Sequence, residues 1–290
     1  MIGKTIQFLR EEKGLSQKYM AKNIFTSSQI SKIENDDQKI TTDNFIKILY
    51  RLCVTFDEFC FFTGDEYIKA RTETRSYVAE LGQNSTPSRL LDGIKKMDIY
   101  YEKFDDTYFQ HMKCILKATY VLSTTDNDYG KARKELTLIT NYLMDSENWF
   151  YYELALFTNI LYFYSPKIAI SEGKRVLEKM NESYERFKNY DITRSLLVNL
   201  AIYLLDEKQY MQSFEYSIKV LAFPQSTDYL YDVLLAKIIN QIACFKLNNN
   251  EYDSDYLSKL IETLKILKLN DIHQQILTFT AKHGITLNIN

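Results

Sequence analysis

Chain breakers are scarce in this sequence. Eight glycines and three prolines serve 290 residues, too few for a many-stranded sandwich or barrel, which needs a turn about every 8–12 residues. The glycines never cluster, so no phosphate-cradling loop is encoded. Four cysteines, Cys53, Cys60, Cys114 and Cys244, lack metal-type spacing and sit in apolar surroundings, where they read as reduced, buried thiols of a cytosolic protein. His111, His273 and His283 are scattered, without the partners that a metal or nucleophile site requires. "DNDYGKARKE" (126–135) lacks the alternating ligands of a calcium loop and reads as a helix entry. No apolar run approaches the roughly 18 residues of a membrane span, and "MIGKTIQFLREEKG" is amphipathic and mixed in charge, unlike a signal peptide. These absences predict a soluble, cytoplasmic chain with no metal, no cofactor and no enzymatic constellation.

What is present fits helices. Apolar residues make up 46% and charged residues 26%, a globular composition, and the length allows two domains. Residues 1–64 read as five short helices. Ile6, Leu9 and Leu15 frame the first, which stops at Gly14. Ser16 caps a second helix with Tyr19, Met20 and Ile24 inside. The third begins near Ser27, with Ile30 and Ile33 inside. "TTDNFIKILYRL" (41–52) carries Phe45, Ile46, Leu49 and Leu52 at helical spacing, and "TFDEFCFF" (55–62) closes the domain. Over residues 65–290 longer helices are expected at 65–82, 87–103, 105–123, 127–145, 147–164, 167–188, 191–206, 209–222, 227–248, 252–268 and 270–283. Breaks such as "NSTP" (84–87), "TTDND" (124–128), Pro166, Pro224 and "NNNEYDSD" (248–255) separate them. Antiparallel helices in succession predict stacked hairpins, an α-solenoid. The expected fold is therefore all-α.

The most specific motif is "LREEKGLSQKYMAKNIFTSSQISKIEND" (9–36). It resembles the XRE class of helix-turn-helix domains, with Leu-Arg, Gly-Leu-Ser-Gln, a small residue in helix two and Ser-x-x-Ile-Ser-x-Ile-Glu in the recognition helix. Ala21 is small where two helices cross. Gln17 and Lys18 open helix two, where an amide and a helix N-terminus suit a DNA phosphate. Ile30 and Ile33 anchor the recognition helix and leave Ser27, Ser28, Gln29 and Lys32 outward, positions that the resemblance assigns to base edges or adjacent backbone in the major groove. Glu34 is expected to pair with Arg10. Asp36 stands where this class commonly has glycine, at a small expected cost in stability. Residues 1–35 carry six Lys/Arg against three acids, but residues 1–66 carry nine against ten. Phosphate attraction must therefore come from a local face, and tight binding calls for two copies.

A second resemblance covers nearly the whole chain. The N-terminal XRE motif, "VTFDEFCFF" (54–62), a long helical remainder and "W-x-x-Y-E-L-x-L-x-x-N" at 149–159 are together similar to the Rgg (GadR, MutR) group of transcription regulators. That resemblance implies a tetratricopeptide-like C-terminal superhelix, a homodimer, promoter DNA as a partner and, for many members, a short hydrophobic signalling peptide bound on the concave face in quorum sensing. It leaves open a ligand-independent regulator, or a peptide-gated interaction scaffold.

The residues themselves add a spacing. Asn159, Asn199 and Asn240 fall 40 and 41 residues apart, about one helical hairpin each, among apolar neighbours where an unpaired amide costs about 1–3 kcal/mol. An asparagine offers both a donor and an acceptor, so a row of them can hold an extended peptide backbone. Alternatively, each is satisfied inside the core. Tyr152, Leu156 and Phe163, then Ser195 and Tyr203, then Val233, Lys237 and Cys244 share their stripes, and Arg194 at a helix start could receive a carboxylate. Trp149, Tyr152, Leu156 and Asn159 are expected on one face of a single helix.

Overall fold

The computed structural model describes residues 1–183, 190–223 and 229–286, and every regular element among them is helical. Two compact units divide the chain, residues 1–116 and 117–290.

The first unit opens with α1 (Ile2–Glu12), α2 (Gln17–Ala21), α3 (Ser27–Glu34), α4 (Thr42–Leu52) and α5 (Phe56–Thr63). Local chemistry sets these boundaries. The Ser16 hydroxyl accepts from the Tyr19 N–H at 3.1 Å, and Thr26/Gln29 and Thr55/Glu58 form reciprocal capping boxes, satisfying N–H groups that have no partner within the helix. Ile6, Leu9, Met20, Ala21, Ile30, Ile33, Ile48, Leu49, Leu52 and Phe59 make one buried cluster. Gly64 ends α5 in the left-handed region at φ 64°. The compact unit runs on through α6 (Glu66–Asn84), α7 (Pro87–Phe104) and the first part of α8 (Thr107–Thr124).

Three inner positions differ from expectation. α2 ends at Ala21, so Ile24 lies in the following turn, and Tyr19 is exposed. In α4 it is Ile48 that is fully buried, while Ile46 faces solvent, because the core lies along the 45–48/49–52 stripe. Cys53 is exposed, since it sits at the left-handed end of α4 (φ 50°) and not inside the helix; Cys60 is half-buried, and only Cys114 and Cys244 are buried.

The second unit contains α9 (Tyr129–Glu135), α10 (Thr137–Asp145), α11 (Tyr151–Ile160) with a 3₁₀ turn (Leu161–Phe163), α12 (Pro166–Ser183), α13 (Tyr190–Asp206), α14 (Tyr210–Leu221), α15 (Leu230–Leu247), α16 (Ser254–Ile266) and α17 (Asn270–Lys282). The helix expected over 127–145 is two, broken at the fully buried Leu136 (φ −92°, ψ 3°). The helix expected from 147 starts at 151, because Phe150 is extended and its N–H is taken by the Glu153 carboxylate at 2.8 Å. Trp149 therefore lies outside the helix and shares no face with Asn159. Its indole N–H donates to the Leu143 carbonyl at 3.1 Å, its ring lies 5.4 Å from Phe157, and the Arg175 guanidinium sits 4.3 Å above it. The tryptophan is core. The expected break at Pro224 and the helix ends expected at 188 and 227 lie outside the described residues.

Packing in this unit follows the solenoid rule that each element contacts its neighbours along one axis. α11 packs on α13 and α13 on α15, while α14 packs against both α13 and α15. Thus α11, α13 and α15 make one layer, and α14 belongs to a second.

Candidate functional site

Two surfaces have the chemistry of binding sites. The first is built on α2 and α3. Ile30 (0% exposed) and Ile33 (2%) fix α3 from beneath, which turns Ser27, Ser28 and Lys32 outward into solvent together with Lys18 of α2. Gln29 is half-buried, and its Oε1 accepts from the Thr26 N–H at 2.9 Å, so only its amide hydrogens are left for a ligand. A shallow depression lined by Ser16, Lys18, Tyr19, Lys22, Asn23, Thr26 and Ser27 runs along the α2–α3 turn.

The expected Arg10–Glu34 pair forms, buried and two-pronged. Arg10 Nε donates to Oε1 at 2.6 Å and Nη2 to Oε2 at 3.0 Å. Glu34 holds a third partner that the sequence did not suggest. Gln17 Nε2 donates to its Oε2 at 2.7 Å, so one of the two amide hydrogens expected to face phosphate is committed to the protein. Asp36 adopts the left-handed conformation at φ 61°, and its carboxylate accepts from the Gly3 N–H at 2.9 Å. Here aspartate does what glycine could not, since it closes the N-terminus of α1. Sequence reasoning also missed Arg51 of α4, whose guanidinium donates to backbone carbonyls at the end of α2. A lone arginine in an amphipathic helix gives no such signal.

The second surface is one face of the α11–α13–α15 layer. From Ile192 to Leu205 every residue of α13 is buried except Ser195, Asn199 and Ile202, which lie three and four residues apart on one stripe. Between Leu234 and Cys244 of α15 only Lys237 and Asn240 escape full burial, on a stripe that Val233 extends. On α11 the corresponding stripe is Tyr152, Ala155 and Asn159, continued by Tyr162 in the 3₁₀ turn, with Asn159 and Tyr162 exposed. All three regularly spaced asparagines thus fall on the least buried stripes of helices in one layer, Asn159 exposed and Asn199 and Asn240 half-buried.

Their surroundings are not equivalent. Asn240 Nδ2 donates to Ser217 Oγ of α14 at 3.1 Å, and its Oδ1 lies 3.9 Å from Cys244 Sγ, so the neighbouring layer satisfies part of it. Asn159 is exposed, although Ile160 and Leu161 beside it are buried. Tyr152 is half-buried, its ring 6.0 Å from Tyr142. Leu156, Phe163 and Cys244, expected on the open stripes, are buried; each falls one step round its helix or turn toward the core. Tyr203 is likewise buried beneath the face. Its hydroxyl donates to the Tyr164 carbonyl, and burial pushes its pKa up to about 12. Arg194 is 1% exposed, with its guanidinium stacked 3.7 Å from the Tyr229 ring and 5.4 Å from Phe223. Asp232, at the start of α15, takes a 3.4 Å hydrogen bond from Ser195, and burial raises its pKa against the opposing pull of that bond and of Arg194.

No described helix is long and apolar enough to cross a membrane. A family described as "HTH-type transcriptional regulator Rgg, C-terminal domain" matches residues 94–278, and a family described as "Helix-turn-helix" matches residues 6–59. Among solved structures, the chain is similar to the SHP pheromone receptor Rgg2 of Streptococcus dysgalactiae at 21% identity and a TM-score of 0.75, with 97% of this chain and 99% of that one covered. A putative transcriptional regulator from Listeria monocytogenes EGD-e matches at 20% identity and a TM-score of 0.75, covering 98% and 99%. PlcR of Bacillus thuringiensis, solved in complex with the peptide PapR7 and DNA, matches at 18% identity and a TM-score of 0.65, covering 95% and 98%. At these identities the likeness establishes a shared fold.

Proposed function

This chain belongs to the Rgg family of helix-turn-helix transcriptional regulators, and from that premise we propose that it is a cytoplasmic, homodimeric, peptide-controlled regulator. Residues 1–64 bind promoter DNA, and residues 65–290 dimerise and sense a short hydrophobic signalling peptide, as in quorum sensing. It performs no chemistry of its own and uses no cofactor. The observation that carries the peptide reading is the coincidence of Asn159, Asn199 and Asn240 with the least buried stripes of α11, α13 and α15. Rgg2 is a pheromone receptor and PlcR has been captured with both a peptide and DNA, which supports a ligand of this class here.

In this reading the three amides bracket the peptide backbone, Tyr152 and Lys237 contact its side chains, and Tyr203 and Arg194 stiffen the face from beneath. A ligand that prefers one curvature of the helical repeat shifts the population toward it, and so changes how two DNA-binding domains span two half-sites. The test titrates labelled synthetic peptides, taken from the C-terminal residues of small reading frames beside the gene, against wild type and an Asn159→Ala/Asn199→Ala/Asn240→Ala variant. At least a tenfold loss of affinity in the variant is expected, with the melting temperature little changed. Equal affinities in two folded proteins would sink the groove. Absence of any saturable binding would favour the ligand-independent regulator.

On the DNA side, Ser27, Ser28, Gln29 and Lys32 meet the major groove, with Gln17 and Lys18 at the flanking backbone. Lys32 is exposed and one residue before Ile33 of the core. If it meets phosphate, Lys32→Ala weakens all duplexes alike and lowers the salt slope by about one; if it meets a base, the loss is confined to particular sequences. Unchanged binding on both counts removes Lys32 from the interface.

A further inference from the structure

The α2–α3 turn is closed from outside the motif. α2 has only five residues, so its terminal carbonyls find few partners in their own helix. The Ala21 carbonyl accepts from the Ile24 and Phe25 N–H groups at 2.9 and 2.8 Å, and the Tyr19 carbonyl from Lys22 at 3.4 Å. The carbonyls of Met20 and Lys22 are met by a single group, Nη1 of Arg51, at 2.8 Å for Met20 and closer for Lys22; the same nitrogen lies 3.4 Å from the Tyr19 carbonyl. Immediately beyond, Lys22 (ψ 120°) and Asn23 (φ 61°) swing the chain into Phe25 and the Thr26 cap of α3. No glycine eases that turn.

We propose that Arg51 is a positioning residue for sequence readout: it caps α2 in trans from α4, and by fixing the Lys22–Phe25 turn it sets the angle at which α3 meets the bases, without itself touching DNA. The inference rests on the reading of residues 1–64 as a promoter-binding domain. Three facts support it. Among the described residues, each hydrogen bond that Arg51 makes goes to a carbonyl of α2 or its turn, and none goes to an acid. A cation at a helix C-terminus is favourable against the partial negative charge of the unpaired carbonyls. Ile30 and Ile33 pack α3 from beneath, and the side-chain bonds of Glu34 to Arg10 and Gln17 hold its C-terminal end. Its N-terminal end, which carries Ser27 and Ser28, is held by the turn.

An arginine presents its donors in a fixed planar array, whereas a lysine is a mobile point charge. Arg51→Met removes the cap and Arg51→Lys retains the charge with poorer geometry. The probe is a duplex selected by the wild-type full-length protein from a random library, compared with a scrambled duplex over several salt concentrations. For Arg51→Met the expected result is a fall of about tenfold in the ratio of selected to scrambled affinity, with scrambled-duplex affinity and salt slope unchanged. Arg51→Lys is expected to fall between. A salt slope lowered by about one would make Arg51 a phosphate contact and overturn the proposal. So would a loss shared equally by both duplexes and matched by the unfolded fraction from thermal melting, which is what a purely structural role gives. If Arg51→Met does not fold, Arg51→Lys decides by the same ratio: one equal to wild type overturns the proposal. A wild-type protein that selects no duplex would overturn the promoter-binding reading itself.

Discussion

Replacing Glu34 by alanine is expected to cost about 3–5 kcal/mol, the range seen when one partner of a buried ion pair is removed. The Glu34 side chain is 2% exposed and that of Arg10 10%. Without the carboxylate, Arg10 keeps the Leu15 carbonyl at 3.0 Å and Glu11 at 3.0 Å, but Nε is left buried with nothing to donate to. Gln17 loses its acceptor as well. Since a whole domain is typically stable by only about 5–15 kcal/mol, this change removes a large share of the margin, and residues 1–64 should open far more often. Hydrogen exchange followed by mass spectrometry measures it, because peptides from α1 to α5 should lose protection while those from α13 to α15 keep theirs. A destabilisation below about 1 kcal/mol would mean that water replaces the pair and that the burial is not what it looks. An Arg10→Met/Glu34→Leu double variant sharpens the point. An apolar pair of similar bulk can be neutral, so protection should return. The Gln17 tether does not return with it, and any residual loss of duplex binding reports on that amide alone.

Much of this arrangement is legible in the sequence, and the reasons differ by element. The helix-turn-helix is readable because it is made of local rules, with hydroxyl caps at Ser16, Thr26 and Thr55 and isoleucines spaced so that one face of α3 has nowhere to go but inward. The Arg10–Glu34 pair is readable from the resemblance. Asp36 is harder. Sequence alone identifies it as a departure with a small cost, yet the carboxylate gains the Gly3 N–H, a contact between positions 33 residues apart that no local pattern announces. Gln17 and Arg51 fail for the same reason. Each bonds to a group brought near by the fold, and the side chain looks the same whether it faces DNA or backbone.

The second unit shows the opposite limit. Its helices follow from periodicity, but α13 and α15 are apolar nearly all round, so hydrophobic pattern cannot say which stripe is open. Asn199 and Asn240 mark it only because their spacing repeats. Leu156 and Cys244 looked equally eligible and are buried. The layer decides: α14 covers one side of α13 and α15, Ser195, Asn199, Ile202 and Lys237 stay half-buried, and Asn240 lies at the margin where Ser217 of α14 reaches it. Trp149 was misplaced for a different reason. The helix expected from 147 includes it, while the Glu153 carboxylate sets the start of α11 at Tyr151 by taking the Phe150 N–H.

The close approach of α1 to α3 at Gly3 predicts the other large effect. A Cβ built on Gly3 would lie 1.8 Å from the Ile33 carbonyl oxygen, well inside any real contact, and the obstacle is backbone that no rotamer change can move. Gly3→Ala therefore forces α1 to retreat from the C-terminal end of α3. The overpacking cost is expected at the upper end of its usual range, about 3 kcal/mol, and part of it falls on function, because the Gly3–Asp36 bond and the Arg10–Glu34 geometry both span the gap that opens. The control is Gly14→Ala. Gly14 lies in the left-handed region at φ 65° with open space around its missing side chain, so only backbone strain of about 1–2 kcal/mol is added, at a point that does not touch α3. Both variants should lower the melting temperature. Measured well below both transitions, Gly3→Ala alone should lose affinity for the selected duplex, by tenfold or more. Equal duplex affinities for the two variants would mean that α1 can shift along α3 without disturbing it, and that the recognition helix is held by its N-terminal turn rather than by the contact at Ile33.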